Sequence, residues 1–162
     1  MTEEIRIRPA TAGDAKALVD FAAAMALETE RKVLLRDVIG TGVHHLLTHP
    51  GMGFYVIAEC ESEVAGSLMV TTEWSDWRNG NFWWVQSVYV RPEFRRRGVY
   101  RQLYEYLQKQ AAEDPKVCGF RLYVERDNAR AQATYRAAGM EQTHYILFEE
   151  LKPGVRFYEP AN

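Results

Sequence analysis

Long apolar runs and a long basic arm are missing from this sequence, and its first residues do not resemble a targeting signal. Its 162 residues contain no apolar stretch of about 20 residues, the length that spans a bilayer. The start MTEEIRIRP is acidic and polar, which is not typical of a signal peptide. A formal net charge of −2 gives no general attraction to nucleic acid. We therefore expect a cytoplasmic protein with no membrane and no nucleic-acid partner.

Cysteine and histidine are too sparse for a disulfide framework or a metal centre. The two cysteines, Cys60 and Cys118, lie toward the ends of apolar segments and lack paired spacing, which favours buried free thiols. His44, His45 and His49 share a predicted helix that carries no cysteine or carboxylate at ligand spacing. We predict no metal site.

Two common phosphate-binding motifs are also absent, although one segment has the features of an anion site. The chain contains neither the GxxxxGK[ST] of a P-loop nor the GxGxxG of a dinucleotide fold. In residues 88–106, VYVRPEFRRRGVYRQLYEY, a predicted strand is followed by Arg95, Arg96, Arg97, Gly98 and then a predicted helix. Glycine allows close backbone approach, and a helix N-terminus offers free N–H groups, so the segment predicts a phosphate site. Three consecutive arginines are also typical of a solvated surface run, and the pattern alone leaves that alternative open.

Hydrophobic periodicity predicts a single domain over residues 1–162, with strands and helices combined in one α/β fold. Hairpin strands followed by alternating strands and helices form a mixed sheet with helices packed on it. Strands are predicted at residues 5–8, 54–59, 64–72, 82–90, 120–124 and 143–149, with 155–158 as a further candidate. Helices are predicted at residues 14–26, 32–47, 100–112 and 129–138.

The arginine-rich segment resembles motif A of the GNAT superfamily of N-acetyltransferases. That motif is a strand ending in Val-x-Pro, then [Gln/Arg]-x-x-Gly-x-[Gly/Ala], then a helix. Val90-Arg91-Pro92 and Arg95-Arg96-Arg97-Gly98-Val99-Tyr100 stand in those places here. Tyr100 departs from the pattern, because it replaces a small residue near the place where family members hold the pyrophosphate of coenzyme A. The resemblance implies that either this ring turns away or the cofactor shifts.

Residues 123–140, YVERDNARAQATYRAAGM, resemble motif B of the same family. Asn128 matches the asparagine that contacts the pantetheine arm in relatives, and Ala131 matches the small residue of the helix. Tyr135 matches the tyrosine near the cofactor sulfur, and Gly139 matches the turn that closes the helix. The start IRIRPATAGDAKAL is also similar to a family N-terminus, so the resemblance covers nearly the whole chain.

The resemblance implies a GNAT-type α/β fold, with a mixed, mostly antiparallel central sheet of six to seven strands flanked by about four helices. It implies acetyl-CoA as co-substrate, with the pantetheine arm between the splayed strands that end at Val90 and Val124. No metal is implied. The implied cofactor-binding residues are Val88, Tyr89, Val90, Arg95, Arg96, Arg97, Gly98, Val99, Tyr100, Arg101, Asn128 and Tyr135.

The implied reaction is transfer of an acetyl group to a primary amine of a small molecule, by direct attack within a ternary complex. A backbone N–H near Tyr89 would stabilise the charge that grows on the thioester carbonyl oxygen. The Tyr135 hydroxyl would protonate the leaving thiolate. A tyrosine at helical spacing is also typical of core packing, which is the alternative for Tyr135 outside the motif.

The base that deprotonates the amine is predicted less directly. Relatives often carry a carboxylate where this chain has Gln86, which cannot accept a proton near neutral pH. Glu28 and Glu30, expected in the loop between the first two helices, are candidates because family members shape the acceptor site there. Glu73 and Asp76, in TTEWSDWRNG, are the others. Each of the four is also typical of a solvated carboxylate, so ordered water is an equal alternative.

The predicted hairpin around residues 74–84 is rich in aromatic side chains. Adjacent Trp83 and Trp84 must face opposite sides of a strand. The rings would fill the core, cover a homodimer contact or, with Glu28, Glu30 and Glu73, form a pocket for a cationic amine. The alternative function is a non-catalytic acyl-CoA-binding sensor or regulatory module, which Tyr100 and Gln86 motivate. The aromatic residues concerned are Trp74, Trp77, Phe82, Trp83 and Trp84.

Overall fold

A computed structural model describes residues 4–162 and contains two compact units. The larger unit is formed by the chain up to Leu122 together with Phe157–Asn162, and the smaller unit is Tyr123–Arg156. Of the elements formed by residues 4–162, the larger unit contains every strand and three of the four α-helices. Its elements in chain order are β1 (Ile5–Pro9), α1 (Ala15–Glu30), β2 (Lys32–Leu34), α2 (Arg36–Thr48), β3 (Gly53–Cys60), β4 (Glu63–Ser75), β5 (Gly80–Val90), α3 (Val99–Glu113), β6 (Val117–Leu122) and β7 (Tyr158–Pro160).

The central sheet has five strands in the order β1-β3-β4-β5-β6. Its neighbouring strands are antiparallel except β5 and β6, which are parallel. The two remaining strands, β2 and β7, form a small antiparallel sheet of their own. The predicted α/β class and mixed, mostly antiparallel sheet are confirmed, with the seven strands divided between two sheets.

The region between α1 and α2 differs from its prediction. Helix α1 continues to Glu30 and ends because Arg31 adopts a left-handed conformation, with φ of 52°. The next three residues form β2 because they pair with β7, from Lys32 opposite Pro160 to Leu34 opposite Tyr158. The prediction of a helix from residue 32 is therefore wrong at its start. A partner distant in sequence overrides local periodicity here.

Apolar side chains cover both faces of the central sheet. Alternate residues of β3 point to opposite faces, as the pleat requires. Tyr55 and Ile57 pack with the α1 and α2 side chains, and Val56 and Ala58 pack with the α3 side chains. The helical residues at the centres of these layers are Leu18, Val43 and Leu46 on one face and Val99, Leu103 and Leu107 on the other.

The smaller unit contains one helix, α4 (Ala129–Ala137). Gly139, at φ of 95°, follows this helix, and its N–H donates to the Arg136 carbonyl while the Met140 N–H donates to the Tyr135 carbonyl, each at 3.0 Å. This pair of bonds is the Schellman motif. Residues 143–149 have no regular secondary structure, so the strand predicted there is not found. Side chains 145–148 of that segment are exposed.

The lengths of the helices, the grouping of metal-ligating side chains and the burial of the cysteines can be compared with their predictions. Across residues 4–162, every helix is too short or too polar to cross a bilayer. The same part of the chain has no cluster of three or more histidine, cysteine or acidic residues able to hold a metal ion. Both cysteines are free thiols, Cys60 buried and Cys118 exposed. The expectation of burial is therefore wrong for Cys118, which lies in the edge strand β6.

Candidate active site

The strand β5 has an open edge over its last five residues. It pairs with β4 as far as Val90, opposite Gly66, but its pairing with β6 covers only Asn81–Val85. Within the larger unit, residues 86–90 therefore have β4 as their only strand neighbour. An edge of this kind can pair with an extended ligand that carries amide groups.

A β-bulge lies at the start of this open edge. Gln86 is opposite Met69 and Tyr89 is opposite Ser67, so two β5 residues face the single residue between them on β4. Ser87, the first residue of the bulge, has φ of 49°. A bulge of this type disrupts the ladder locally and redirects the strand. The backbone of this segment consequently does not pair regularly with β4.

The bulge also changes which side chains face which helix. Before it, Trp83 and Val85 belong to the apolar layer under α3, and after it Val88 and Val90 pack against the same layer. The Tyr89 ring faces the other way and lies 5.1 Å from the Phe21 ring of α1, between centroids. Odd-numbered residues therefore face α3 before the bulge, and even-numbered residues face it after the bulge.

Backbone groups near the end of β5 face two directions. The Arg91 N–H donates to the Ala65 carbonyl of β4 at 2.9 Å, and a Cβ on Gly66 would lie 2.7 Å from the Tyr89 carbonyl oxygen. The backbone of Tyr89 and Arg91 thus faces β4. The Val90 carbonyl instead accepts from Arg95 Nε at 2.8 Å. Because successive strand residues alternate, Val90 presents its backbone to the open edge.

The loop from β5 to α3 ends in a glycine with a left-handed backbone. Gly98 has φ of 79° and immediately precedes α3. A Cβ there would meet only the Arg101 guanidinium, at 3.6 Å, so conformation rather than crowding requires the glycine. The first turn of α3 directs N–H groups outside the helical hydrogen-bond ladder, as every helix N-terminus does. This end of the helix is therefore suited to a phosphate.

The three consecutive arginines have different surroundings. Arg95 donates from both Nη atoms to the Glu28 carboxylate, at 2.6 and 2.9 Å, in addition to its bond to Val90. Arg96 is exposed and has φ of 64°. The Arg97 guanidinium lies 5.3 Å from the centroid of the buried Phe94 ring. The triplet is thus more than a solvated surface run, because two of its members have defined contacts.

The Tyr100 ring stacks on the Tyr104 ring, one turn further along α3. The centroids are 6.3 Å apart and the ring planes differ by 13°. Tyr104 is buried and contacts Phe120 of β6 at 5.4 Å between centroids. The resemblance implied that either the Tyr100 ring turns away or the cofactor shifts. The stacking favours the first outcome, because the ring turns along the helix.

Of the four carboxylates expected near the acceptor, Asp76 accepts from the Trp77 N–H at 2.8 Å, and the other three have cationic partners. Glu28 and Glu30 lie in the last turn of α1 and not in a loop, because α1 is longer than predicted. Hydrogen bonding to Arg95 lowers the pKa of Glu28 below its ordinary value. The other two ion pairs are Glu30 with Lys32, at 3.1 Å, and Glu73 of β4 with Arg121.

Some of the aromatic side chains in the region 74–84 are buried in the core. Trp83 is buried and contacts the rings of Phe54 and Phe120, with centroids 5.2 and 6.1 Å away. Phe82 is buried as well. Trp74 and Trp77, in contrast, are 58% and 86% exposed. These two rings are thus the members of the set that face solvent.

Two contacts at the site had no signal in the sequence. Gln86, which stands where relatives often have a carboxylate, donates from Nε2 to Thr71 Oγ1 at 2.6 Å. The other contact is the ion pair of Glu28 with Arg95, whose partners are 67 positions apart. Neither pair is close enough in sequence for spacing to predict it, and an alternating strand pattern does not indicate a bulge.

The smaller unit carries the motif B residues. Asn128 caps α4, because its Oδ1 accepts from the Ala131 N–H at 3.0 Å. Tyr135 is half-buried on α4, and burial raises the pKa of its phenol above the ordinary value. A phenol with a raised pKa stays protonated across the neutral range and can act as a proton donor.

Comparison with known proteins identifies the class. The model of the acetyltransferase (GNAT) family matches residues 15–140. The chain therefore belongs to the GNAT acetyltransferase family, as the two motifs predict. A possible acetyltransferase from Clostridium difficile 630 has a similar structure, with 41% identity, a TM-score of 0.85, and coverage of 93% of this chain and 99% of that chain.

More distant structures share the fold. Aminoglycoside N-acetyltransferase AAC(6')-Iy in complex with CoA has 16% identity and a TM-score of 0.74, over 94% of this chain and 97% of that chain. Glucosamine-6-phosphate N-acetyltransferase from Arabidopsis thaliana has 14% identity and a TM-score of 0.71, over 93% of this chain and 100% of that chain. No curated protein matches the sequence.

The site residues fit the acetyl-CoA that this family uses. The open edge at residues 86–90 has the extended backbone that suits an arm carrying amide groups, such as pantetheine. Gly98 brings the backbone to the N-terminus of α3 without a side chain in the way, which suits a pyrophosphate. The exposed Arg96 and Arg97 add positive charge beside it.

Proposed function

We propose that this acetyltransferase moves the acetyl group of acetyl-CoA to a primary amine of a small molecule, by direct attack of the amine on the thioester. The observation that carries the proposal is the succession of an open, bulged strand edge and a glycine-started helix, at residues 86–90 and Gly98. The first suits an extended arm with amide groups, and the second suits its phosphates.

The proposal divides catalysis between backbone and side chain. The N–H of Val90, whose backbone is presented to the open edge while that of Tyr89 faces β4, donates to the carbonyl oxygen as negative charge develops there. The open edge supports this role, since residues 86–90 have no second strand as a neighbour within the larger unit. Tyr135 gives its hydroxyl proton to the leaving thiolate and recovers a proton from solvent, a role that its match to motif B supports.

The amine must lose a proton, because alkyl amines have a pKa of about 10 in water. Glu28 is a weak acceptor for it, since Arg95 lowers the pKa of this carboxyl. Glu73 is engaged with Arg121. We therefore assign the proton to solvent water at the site, and the pairing of Gln86 with Thr71 supports a polar but uncharged environment.

The charges at the site bear on the class of the acceptor. The acidic pocket expected from Glu28, Glu30 and Glu73 has little support, because each of these carboxylates is in an ion pair. Two structures of the same fold are named for an aminoglycoside and an amino sugar phosphate as acceptors. Both compound types belong in an acceptor panel, beside polyamines and amino acids.

The deciding experiment follows free-thiol release from acetyl-CoA against that panel. Amine-dependent release, reduced by both Tyr135→Phe and Gly98→Trp, is the expected result. Acetylated amine, identified by mass spectrometry, should appear in step with the thiol. Tight coenzyme A binding without release for any amine would instead favour a non-catalytic sensor or regulatory module. Loss of coenzyme A binding altogether would contradict the proposal.

A further inference from the structure

We propose that Glu28 is a positioning residue, which orders the phosphate-binding loop through Arg95, and that it is not the base of the reaction. The inference rests on the proposed function, since it concerns the loop that receives the cofactor. It assigns a role to a side chain on α1, far from the loop in sequence.

The geometry starts with the three bonds of the Arg95 guanidinium. Its Nε donates to the Val90 carbonyl at 2.8 Å, and its Nη1 and Nη2 donate to the two carboxylate oxygens of Glu28 at 2.6 and 2.9 Å. The same guanidinium lies 5.6 Å from the centroid of the Tyr89 ring. A two-point arginine–carboxylate contact fixes orientation as well as distance. The end of β5, the loop and the last turn of α1 are thereby joined at one side chain.

The loop needs such a constraint because its backbone is unusual. Arg96 and Gly98 both have positive φ, 64° and 79°, within a four-residue stretch that leads into α3. The left-handed conformation is unfavourable for arginine. Glycine adopts it easily, but it can also adopt many other conformations when the loop is not held. At its other end the loop is held by Arg91, which donates to Glu63 at 2.9 Å and also to Glu93. Arg95 is the corresponding anchor beside the phosphate site.

The functional consequence is preorganisation. If the loop is ordered before the cofactor arrives, the N–H groups of the first turn of α3 already point at the phosphates, and binding does not have to order them. Glu28 contributes through this order and has no contact with reacting atoms in the proposal. Its lowered pKa agrees with a carboxylate that remains charged in an ion pair.

The test compares Glu28→Gln with the matched control Glu30→Gln. Both remove one charge from the last turn of α1, but Glu30 pairs with Lys32 and not with the loop. Glu28 is about half exposed, so the substitution should leave the protein folded, which thermal unfolding checks. The readouts are coenzyme A affinity by calorimetry, amide hydrogen exchange at residues 96–99 without ligand, and kcat at saturating acetyl-CoA.

Glu28→Gln should weaken coenzyme A binding about threefold to tenfold and speed exchange in the loop, with kcat within about twofold of the unmodified protein. Arg95→Lys keeps the charge but loses the two-point contact and the bond to Val90, so it should weaken binding and speed exchange at least as much. The double variant should be no weaker than Arg95→Lys alone. Glu30→Gln should leave coenzyme A affinity and loop exchange unchanged.

A fall in kcat with unchanged affinity and exchange would overturn the inference and make Glu28 a base, especially if the acid limb of the pH profile disappeared. Unchanged values for all three readouts would overturn it as well. Failure of the unmodified protein to bind coenzyme A would contradict the proposed function instead. The exchange measurement needs no ligand, so it would still decide whether Glu28 orders the loop.

Discussion

Arg8 holds both carboxylate oxygens of Asp14, with Nη1 and Nη2 donating at 2.8 and 2.9 Å. Its Nε donates to Glu59 of β3 at 2.7 Å, so a single guanidinium joins two strands to the turn that starts α1. Asp14 is only 6% exposed and also accepts from the Thr11 N–H at 2.7 Å. The hydrogen bonds from Arg8, followed by those from Thr11, outweigh burial and lower the pKa of Asp14.

The lowered pKa of Asp14 predicts a specific loss of stability in acid. The stabilisation is fully present above the ordinary carboxyl value of about 4 and disappears as pH falls through the folded-state pKa. Asp14→Asn should lower the free energy of unfolding at pH 7 by about 2 kcal/mol, because Arg8 loses its charged partner. Urea unfolding at pH 7 and at pH 3 measures both effects, and the variant should lose less stability between them than the unmodified protein.

Asp20→Asn is the matched control for this prediction. Asp20 lies on α1, the helix that Asp14 precedes, and pairs with Lys16 and Arg36 at 2.7 Å, but these side chains are largely exposed. Exposed pairs contribute little, so the control should change stability by less than about 1 kcal/mol. A similar loss for both variants would mean that the buried pair has no special role.

Tyr135→Phe should lower kcat at least about tenfold, because the thiolate loses its proton donor. Coenzyme A affinity should stay within about twofold, since the ring is retained. Tyr145→Phe removes a hydroxyl from an exposed ring of the same smaller unit and should leave both quantities unchanged. Steady-state kinetics with calorimetry makes the comparison. Equal turnover in the Tyr135→Phe variant and the unmodified protein would remove Tyr135 from the mechanism.

Gly98→Ala should destabilise the protein by about 1 kcal/mol through backbone conformation alone, since the added Cβ has room. Gly98→Asn should cost less than Gly98→Ala, because asparagine tolerates the left-handed region better. Gly42→Ala, inside α2 and with nothing within 4 Å of its added Cβ, should stabilise by about 0.5–1 kcal/mol. Chemical unfolding of the three variants tests the order, and a stabilising Gly98→Ala would contradict it.

Tyr100→Ala restores the small residue of the family pattern. Because the ring stacks along α3 on Tyr104, its removal should leave coenzyme A affinity within about threefold while lowering stability by about 1–2 kcal/mol. Calorimetry and thermal unfolding measure the two effects. A gain in affinity of tenfold or more would show that the ring occupies space the cofactor needs.

The sequence predicted the family and much of the fold because the signals for both are local. Two motifs with fixed spacing indicated the GNAT family, which the family match over residues 15–140 confirms. Alternating strands with polar turns, such as β3 and β4, were found close to their observed bounds. The glycine at residue 98 was predicted from its place between strand and helix, and its positive φ agrees.

The features missed by the sequence reasoning depend on partners distant in the chain. Lys32–Leu34 is a strand only because residues 158–160 lie beside it. Glu28 was expected in a loop, and its ion pair with Arg95 involves a helix and a loop with no shared pattern. The strand predicted at 143–149 contains the apolar run Tyr-Ile-Leu-Phe at residues 145–148, but such a run becomes a strand only where an edge pairs with it.

The extra residue of the bulge in β5 gives this strand one position where a deletion is tolerated. Because Ser87 and Val88 together face a single residue of β4, a chain without Ser87 would pair one residue to one, with Gln86 still opposite Met69 and Tyr89 still opposite Ser67. Tyr89 would keep its contact with Phe21, and Val88 and Val90 would stay in the layer under α3. In a library of natural or engineered variants, loss of one residue should therefore be accepted at the bulge and eliminated elsewhere in the strand, where it would exchange the two faces.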